Sequence, residues 1–371
     1  MARLLRGLIL QTSERLGGGS KTCHNKDLKG LPACMADTNA LVLSSTRTRA
    51  LFVAAATYAL ILTAFWFVAE HFSLGTRIGH MPSTFAAFAL LFAPYWFFGF
   101  GAADVLYGTL TSRAIRVLVP GLLVVPYLIY CLPRAELRWM FAVVFFAMPV
   151  GISALLEFRP PGGSRPASAK LCWQDVVVLA AVGLPVEFNW LRGGFPHDGL
   201  NSLPKLLLVD SVLYAYLVVR RLEGVGYDFR PRVRDLVIGL RELVFFAPIV
   251  IALGLALHFI TPHGGLPARA AASSAMLITF FFVAIPEELF FRGLLQNLLE
   301  ARIGRRGSLW LTAVIFGLSH FNKPLPFNWR YVLLATIAGI FYGRAWRDRR
   351  HLLASTTTHT LVDVLWTVWF R

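Results

Sequence analysis

The chain has 371 residues; 56% are apolar, only 15% are Asp, Glu, Lys or Arg, and the mean hydropathy is +0.61. Soluble domains carry about 25% charged residues, so the side chains needed to build a water-facing surface are too few, and disordered, fibrous, disulfide-rich secreted and nucleic-acid-binding classes fall away as first choices. The formal net charge of +16 sits in short connectors between apolar runs, where Lys and Arg set orientation and meet anionic lipid head groups. An all-α, polytopic transmembrane helical bundle is expected, with roughly ten or eleven membrane segments for this length.

In chain order, residues 1–49 differ from the rest, being polar, basic and Gly-rich at Gly17, Gly18 and Gly19. A disordered tail is expected there. The apolar stretch after Leu4 is broken by Arg6 and Gly7, so no signal peptide is assigned. Met35 offers a more ordinary start, which leaves open whether residues 1–34 are translated. Apolar runs then place spans at 51–69, 84–103, 114–131, 139–156, 175–190, 203–219, 241–260, 271–300, 308–321, 331–346 and 352–370. Pro286 lies inside the long run 271–300 and is tolerable only where a neighbour satisfies the carbonyl it frees. Connectors holding Arg113, Arg220, Arg221, Arg230, Arg302 and Arg347 fall on one side, and 191–202 and 261–270 on the other are poorer in Lys and Arg. By the positive-inside rule the N-terminus is cytoplasmic. The domain reading is 1–49 as the tail, 50–269 as helices of unknown role, and 270–371 as the chemically equipped part. Four cysteines, Cys23, Cys34, Cys131 and Cys172, show no metal-ligand spacing.

Ionisable residues inside apolar runs are costly and face the protein interior. Before residue 270 these are Asp104, Glu187 and Asp210, each readable as a buried hydrogen-bond partner between helices. The last hundred residues are richer. Pro286, Glu287, Glu288 and Arg292 lie in one greasy run; Glu288 and Arg292 are spaced i,i+4 and can neutralise each other, while Glu287 points about 100° away. An unpaired buried carboxylate is the better base. Ser319 and His320 follow in the next run, and His359 and Asp363, again i,i+4, in the last. A carboxylate base with two imidazoles and no dedicated nucleophile suits attack of an activated water on a carbonyl, with the imidazoles binding metal or stabilising an oxyanion. No HExxH or GxGD is present; a Ser319–His359 dyad is conceivable.

The pattern EExxxR at Glu287, Glu288 and Arg292, FxxxH at Phe316 and His320, and HxxxD at His359 and Asp363 resembles the CPBP family. These are intramembrane proteases akin to the type II CAAX prenyl endopeptidase, also called the Abi family. The resemblance covers roughly residues 270–370. It implies a glutamate-dependent endopeptidase: Glu287 activates water with His320 assisting, His359 and residue 363 stabilise the oxyanion, and Glu288 with Arg292 locks the helix. The family is described both as zinc metalloproteases and as metal-free, so zinc held by His320, His359, Glu287 and Asp363 stays open. Where prenyl proteases resemble HxxxN, this chain has Asp363, and an ionised Asp cannot donate to an oxyanion. The partners implied are a peptide or membrane-protein substrate and the lipid bilayer, with no nucleic acid, in a bacterial plasma membrane. Two other classes are carried: a catalytically silent binding or immunity protein, and a proton-coupled transporter using the same polar cluster as a relay.

Overall fold

In lipid, every backbone N–H and C=O must pair within its own segment, and long apolar runs therefore fold as helices. The computed structural model describes residues 33–73, 75, 79–158, 171–197, 200, 202–262, 269–323 and 326–370, and among these every regular element is helical. The chain divides into units 1–48 and 49–371. In the first, the described residues 33–48 are helical; the disorder expected for residues 1–32 lies outside the described residues. The elements are α1 (Ala33–His71), α2 (Met81–Phe98), α3 (Ala102–Thr109), α4 (Arg113–Leu118), α5 (Val124–Cys131), α6 (Trp139–Glu157), α7 (Trp173–Glu187) and α8 (Ser202–Leu213). They continue with α9 (Val233–Ala256), α10 (Arg269–Thr279), α11 (Ile285–Glu288), α12 (Asn297–Leu318), α13 (Trp329–Arg349) and α14 (Leu352–Trp369).

Six helices among the described residues are long and apolar enough to cross a membrane: Thr48–His71, Met81–Phe98, Arg113–Arg134, Trp139–Glu157, Ser202–Val219 and Val233–Ala256. The count of ten or eleven is not confirmed among the described residues. Helix α7 has only 15 residues. Helix α13 ends in Arg344, Arg347 and Arg349, and α14 buries Ser355, Thr356, Thr358, His359 and Thr360. A buried polar face such as that of α14 packs against protein rather than lipid. The expected spans 271–300 and 308–321 fall on either side of a break at Gly304, where the backbone leaves helical geometry. Helical structure runs on from α10 to Leu318 with π-helical stretches at Phe280–Ala284 and Leu289–Gln296 and a kink at Gly304, whose φ is 72°.

Helix α13 packs on α9, α12 and α14, and α9 packs on α14 as well. Helix α9 thus belongs to the same packed group as the chemically equipped helices, although it precedes residue 270; the Thr358 hydroxyl donates to its Gly239 carbonyl at 3.1 Å. The start of α14 is pinned. The Leu352 N–H donates to the Gly226 carbonyl at 2.9 Å, and the His351 ring lies 2.9 Å from Asp235 and 3.6 Å from Asp228. In that connector burial pushes the Asp228 carboxyl up, but hydrogen bonds from His351 and Arg230 outweigh it and hold the group well below the usual carboxylate range.

Helices α12 and α13 approach closely at Gly317. A methyl group there would run into the Thr336 hydroxyl and stand 2.6 Å from the Val332 carbonyl oxygen. Gly317→Ala is therefore expected to destabilise the protein by about 1–3 kcal/mol, read as a lowered thermal midpoint in detergent. An unchanged midpoint would show that the two helices part at no cost.

Candidate active site

Glu287 and Glu288 occupy the single turn α11, flanked by the two π-helical stretches. π-Bulges widen the helix, leave backbone groups without their usual partners and cluster at functional sites. Pro286 has no N–H to return to the carbonyl five residues earlier, that of Phe281. The Tyr95 hydroxyl of α2 donates to that carbonyl at 2.8 Å, so the neighbour that proline requires is supplied from far away in sequence. Phe65, Phe92 and Trp96 pack edge-on or tilted against Phe281 and fix the approach to the acidic turn.

Glu288 and Arg292 are both fully buried and paired at 3.0 Å. The guanidinium also donates to the Gly339 carbonyl at 3.1 Å and lies 4.5 Å above the Phe316 ring. The same Glu288 oxygen accepts from His359 Nδ1 at 2.8 Å. Glu288 therefore does more than lock its own helix: it aims the His359 ring. Tyr342 supports that ring from one side, stacked at 4.6 Å and 17°, and Phe316 meets it edge-on at 5.9 Å.

With Nδ1 engaged, His359 Nε2 faces two further carboxylates, Asp363 Oδ2 at 3.6 Å and Glu287 Oε2 at 3.9 Å. Both separations exceed a direct hydrogen bond. Glu287 keeps about a third of its side chain exposed, whereas Glu288 keeps none. His320 lies in the turn after α12, not inside the helix as its run suggested. Its Nδ1 meets the Phe316 carbonyl at 2.9 Å. When Nδ1 donates there, Nε2 carries the lone pair. His320 is within electrostatic reach of Glu287 and His359. All six side chains named from the sequence thus fall in one neighbourhood. Ser319 does not join His359; its hydroxyl donates to the Phe316 carbonyl at 2.8 Å.

Glu287 opens onto a cavity of about 550 Å³ between α7, α8 and the π-helical stretches, lined by Val182, Val186, Val212, Phe282 and Phe290 among others. Its lining is apolar except for Glu287, Ser319, Lys205 and the ion pair Glu187–Lys323 at 3.2 Å. A second cavity of about 740 Å³ shares Lys323 and is lined by Phe259, Tyr331 and Trp366. The earlier acids divide. Glu187 faces the first cavity. Asp210 is buried with no hydrogen-bond partner among the described residues, and Asp104 is mostly exposed, 4.0 Å from Arg221, and so is not the interhelical partner expected of it. Sequence reasoning passed over Tyr331, Tyr342 and Lys323. Tyr331 and Tyr342 are eleven residues apart, three helical turns, so a shared face was readable from their spacing.

Among the described residues no three His, Cys, Asp or Glu side chains are grouped to hold a metal ion. No curated protein and no solved structure matches the chain. Residues 269–365, which carry Glu287, Glu288, Arg292, His320, His359 and Asp363, match the family model described as Rce1-like, type II CAAX prenyl endopeptidase, and so bear out the kinship that the three motifs suggested.

Proposed function

We propose that this chain is an intramembrane endopeptidase of the CAAX-protease type in which Glu287 activates the attacking water. One observation carries the reading: the Glu287 and Asp363 carboxylates approach the same His359 nitrogen, at 3.9 and 3.6 Å, at the edge of an apolar cavity. Glu287 accepts a proton as the water oxygen bonds to the substrate carbonyl carbon, and the carbonyl electrons move onto its oxygen. His320, through its free lone pair, orients that water. His359, held by Glu288, faces the developing negative charge. As the C–N bond breaks, the proton on Glu287 passes to the leaving nitrogen. The cavity favours a substrate whose cleavage site is flanked by an apolar segment or a lipid chain, reached from a bilayer the protein spans with its N-terminus in the cytoplasm.

The test is cleavage of C-terminally lipidated peptides and membrane-protein fragments by the detergent-purified chain, resolved by mass spectrometry. A defined new C-terminus is expected. Absence of cleavage across the panel would overturn the protease reading, and protection against a toxin by such a preparation would favour a silent binder. Because the mechanism passes through Glu287 and uses no metal, protein dialysed against chelator is expected to keep its rate; loss restored by zinc would overturn the metal-free route.

A further inference from the structure

An oxyanion needs hydrogen-bond donors fixed at the reacting carbonyl before the charge forms, and the site is short of them. Arg292 is committed to Glu288 and to the Gly339 carbonyl. Lys323 is paired with Glu187. His320 meets the Phe316 carbonyl with Nδ1, and ionised Asp363 accepts only. His359 alone would then serve a charge for which two donors are the rule. Two tyrosines border the cluster. Tyr342 is 2% exposed and lines neither cavity, so substrate does not reach it. Tyr331 lines the second cavity beside Lys323. Its ring packs on His320 at 4.6 Å and is held from behind by Phe259 at 5.5 Å and Trp366 at 6.1 Å. Its backbone N–H is tied to the Asn328 side chain at the start of α13. The side chain is within electrostatic reach of Asp363 and Glu287, and no hydrogen bond of its hydroxyl is found among the described residues.

Resting on the endopeptidase reading above, we infer that the Tyr331 hydroxyl is the second oxyanion donor of this site, supplying the hydrogen bond that Asp363 cannot. In the addition step the Tyr331 O–H and the Nε2–H of His359, which is protonated on both nitrogens with its Nδ1–H held by Glu288, donate to the carbonyl oxygen as it gains the electron pair. Neither proton transfers, and when the C–N bond breaks the pair returns to the carbonyl.

Tyr331→Phe keeps the ring and its packing and removes only the donor. In the peptide-cleavage assay kcat is expected to fall about a hundredfold with KM within about twofold and an unchanged thermal midpoint. Adding Asp363→Asn, which places an amide N–H beside the site, is expected to restore about tenfold of that loss. A Tyr331→Phe enzyme with full kcat, one whose defect lies in KM, or one that Asp363→Asn does not rescue overturns the assignment and leaves Tyr331 a packing role. Wild type that cleaves nothing overturns the endopeptidase reading itself, and this assignment with it. The two failures are therefore told apart by the wild-type lane.

Discussion

Glu287→Gln is expected to lower kcat for peptide cleavage by about 10²- to 10⁴-fold, the range for removing a positioned general base, with substrate binding retained. Gln fills the same volume, so the packing of α11 between its π-helical neighbours is not disturbed. Glu287 is about a third exposed, and the His359 ring it faces at 3.9 Å keeps Glu288 and Asp363 as partners; no charge is left stranded by its loss. The expected signature is a well-folded protein with an unchanged thermal midpoint that binds a lipidated peptide and does not cut it. A transporter using the cluster as a proton relay would instead lose proton flux in liposomes, with no cleavage in the wild type to begin with. If Glu287→Gln cleaves at the wild-type rate, the base lies elsewhere.

Arg292→Ala is expected to have the largest effect on stability, about 3–5 kcal/mol, because it removes the guanidinium paired with a fully buried carboxylate and leaves His359 as the one group still bonded to it. Glu288 also holds His359, so activity and stability fall together in that variant. They separate in Glu288→Gln with Arg292→Met, where two neutral side chains replace the pair. Removing both charges of a buried pair is frequently near neutral for stability. The thermal midpoint is then expected to recover most of what Arg292→Ala loses. Activity is expected to stay at least about tenfold low, because an amide oxygen orients an imidazole less strongly than a carboxylate. Full activity in the double variant would show that Glu288 acts only as the helix lock.

The i,i+4 spacings of Glu288 with Arg292 and of His359 with Asp363 were legible in the sequence because helical geometry alone fixes which side chains share a face. The separation of Glu287 from that paired face was legible for the same reason. What composition could not convey is how α11 is held. The Tyr95 bond to the Phe281 carbonyl joins residues 186 positions apart, and no local pattern marks a π-helical stretch. Among the described residues six helices meet the length and hydropathy needed to span; α7 is short and α14 buries Ser, Thr and His side chains, and hydropathy averages over faces that packing distinguishes. His320 fell outside its helix because helix α12 ends at Leu318. Glu187 was legible in sequence as an ionisable residue inside an apolar run, but its partner Lys323 comes from the turn after His320, a contact only the tertiary fold creates.

The account depends on Glu287 and the two imidazoles serving one water as a unit. The direct test is a double-mutant cycle on kcat using Glu287→Gln, His359→Gln and the two together. Groups that act on one step are strongly non-additive, so the double variant is expected to be within about threefold of the slower single variant. Losses that multiply, as for independent sites, would contradict it.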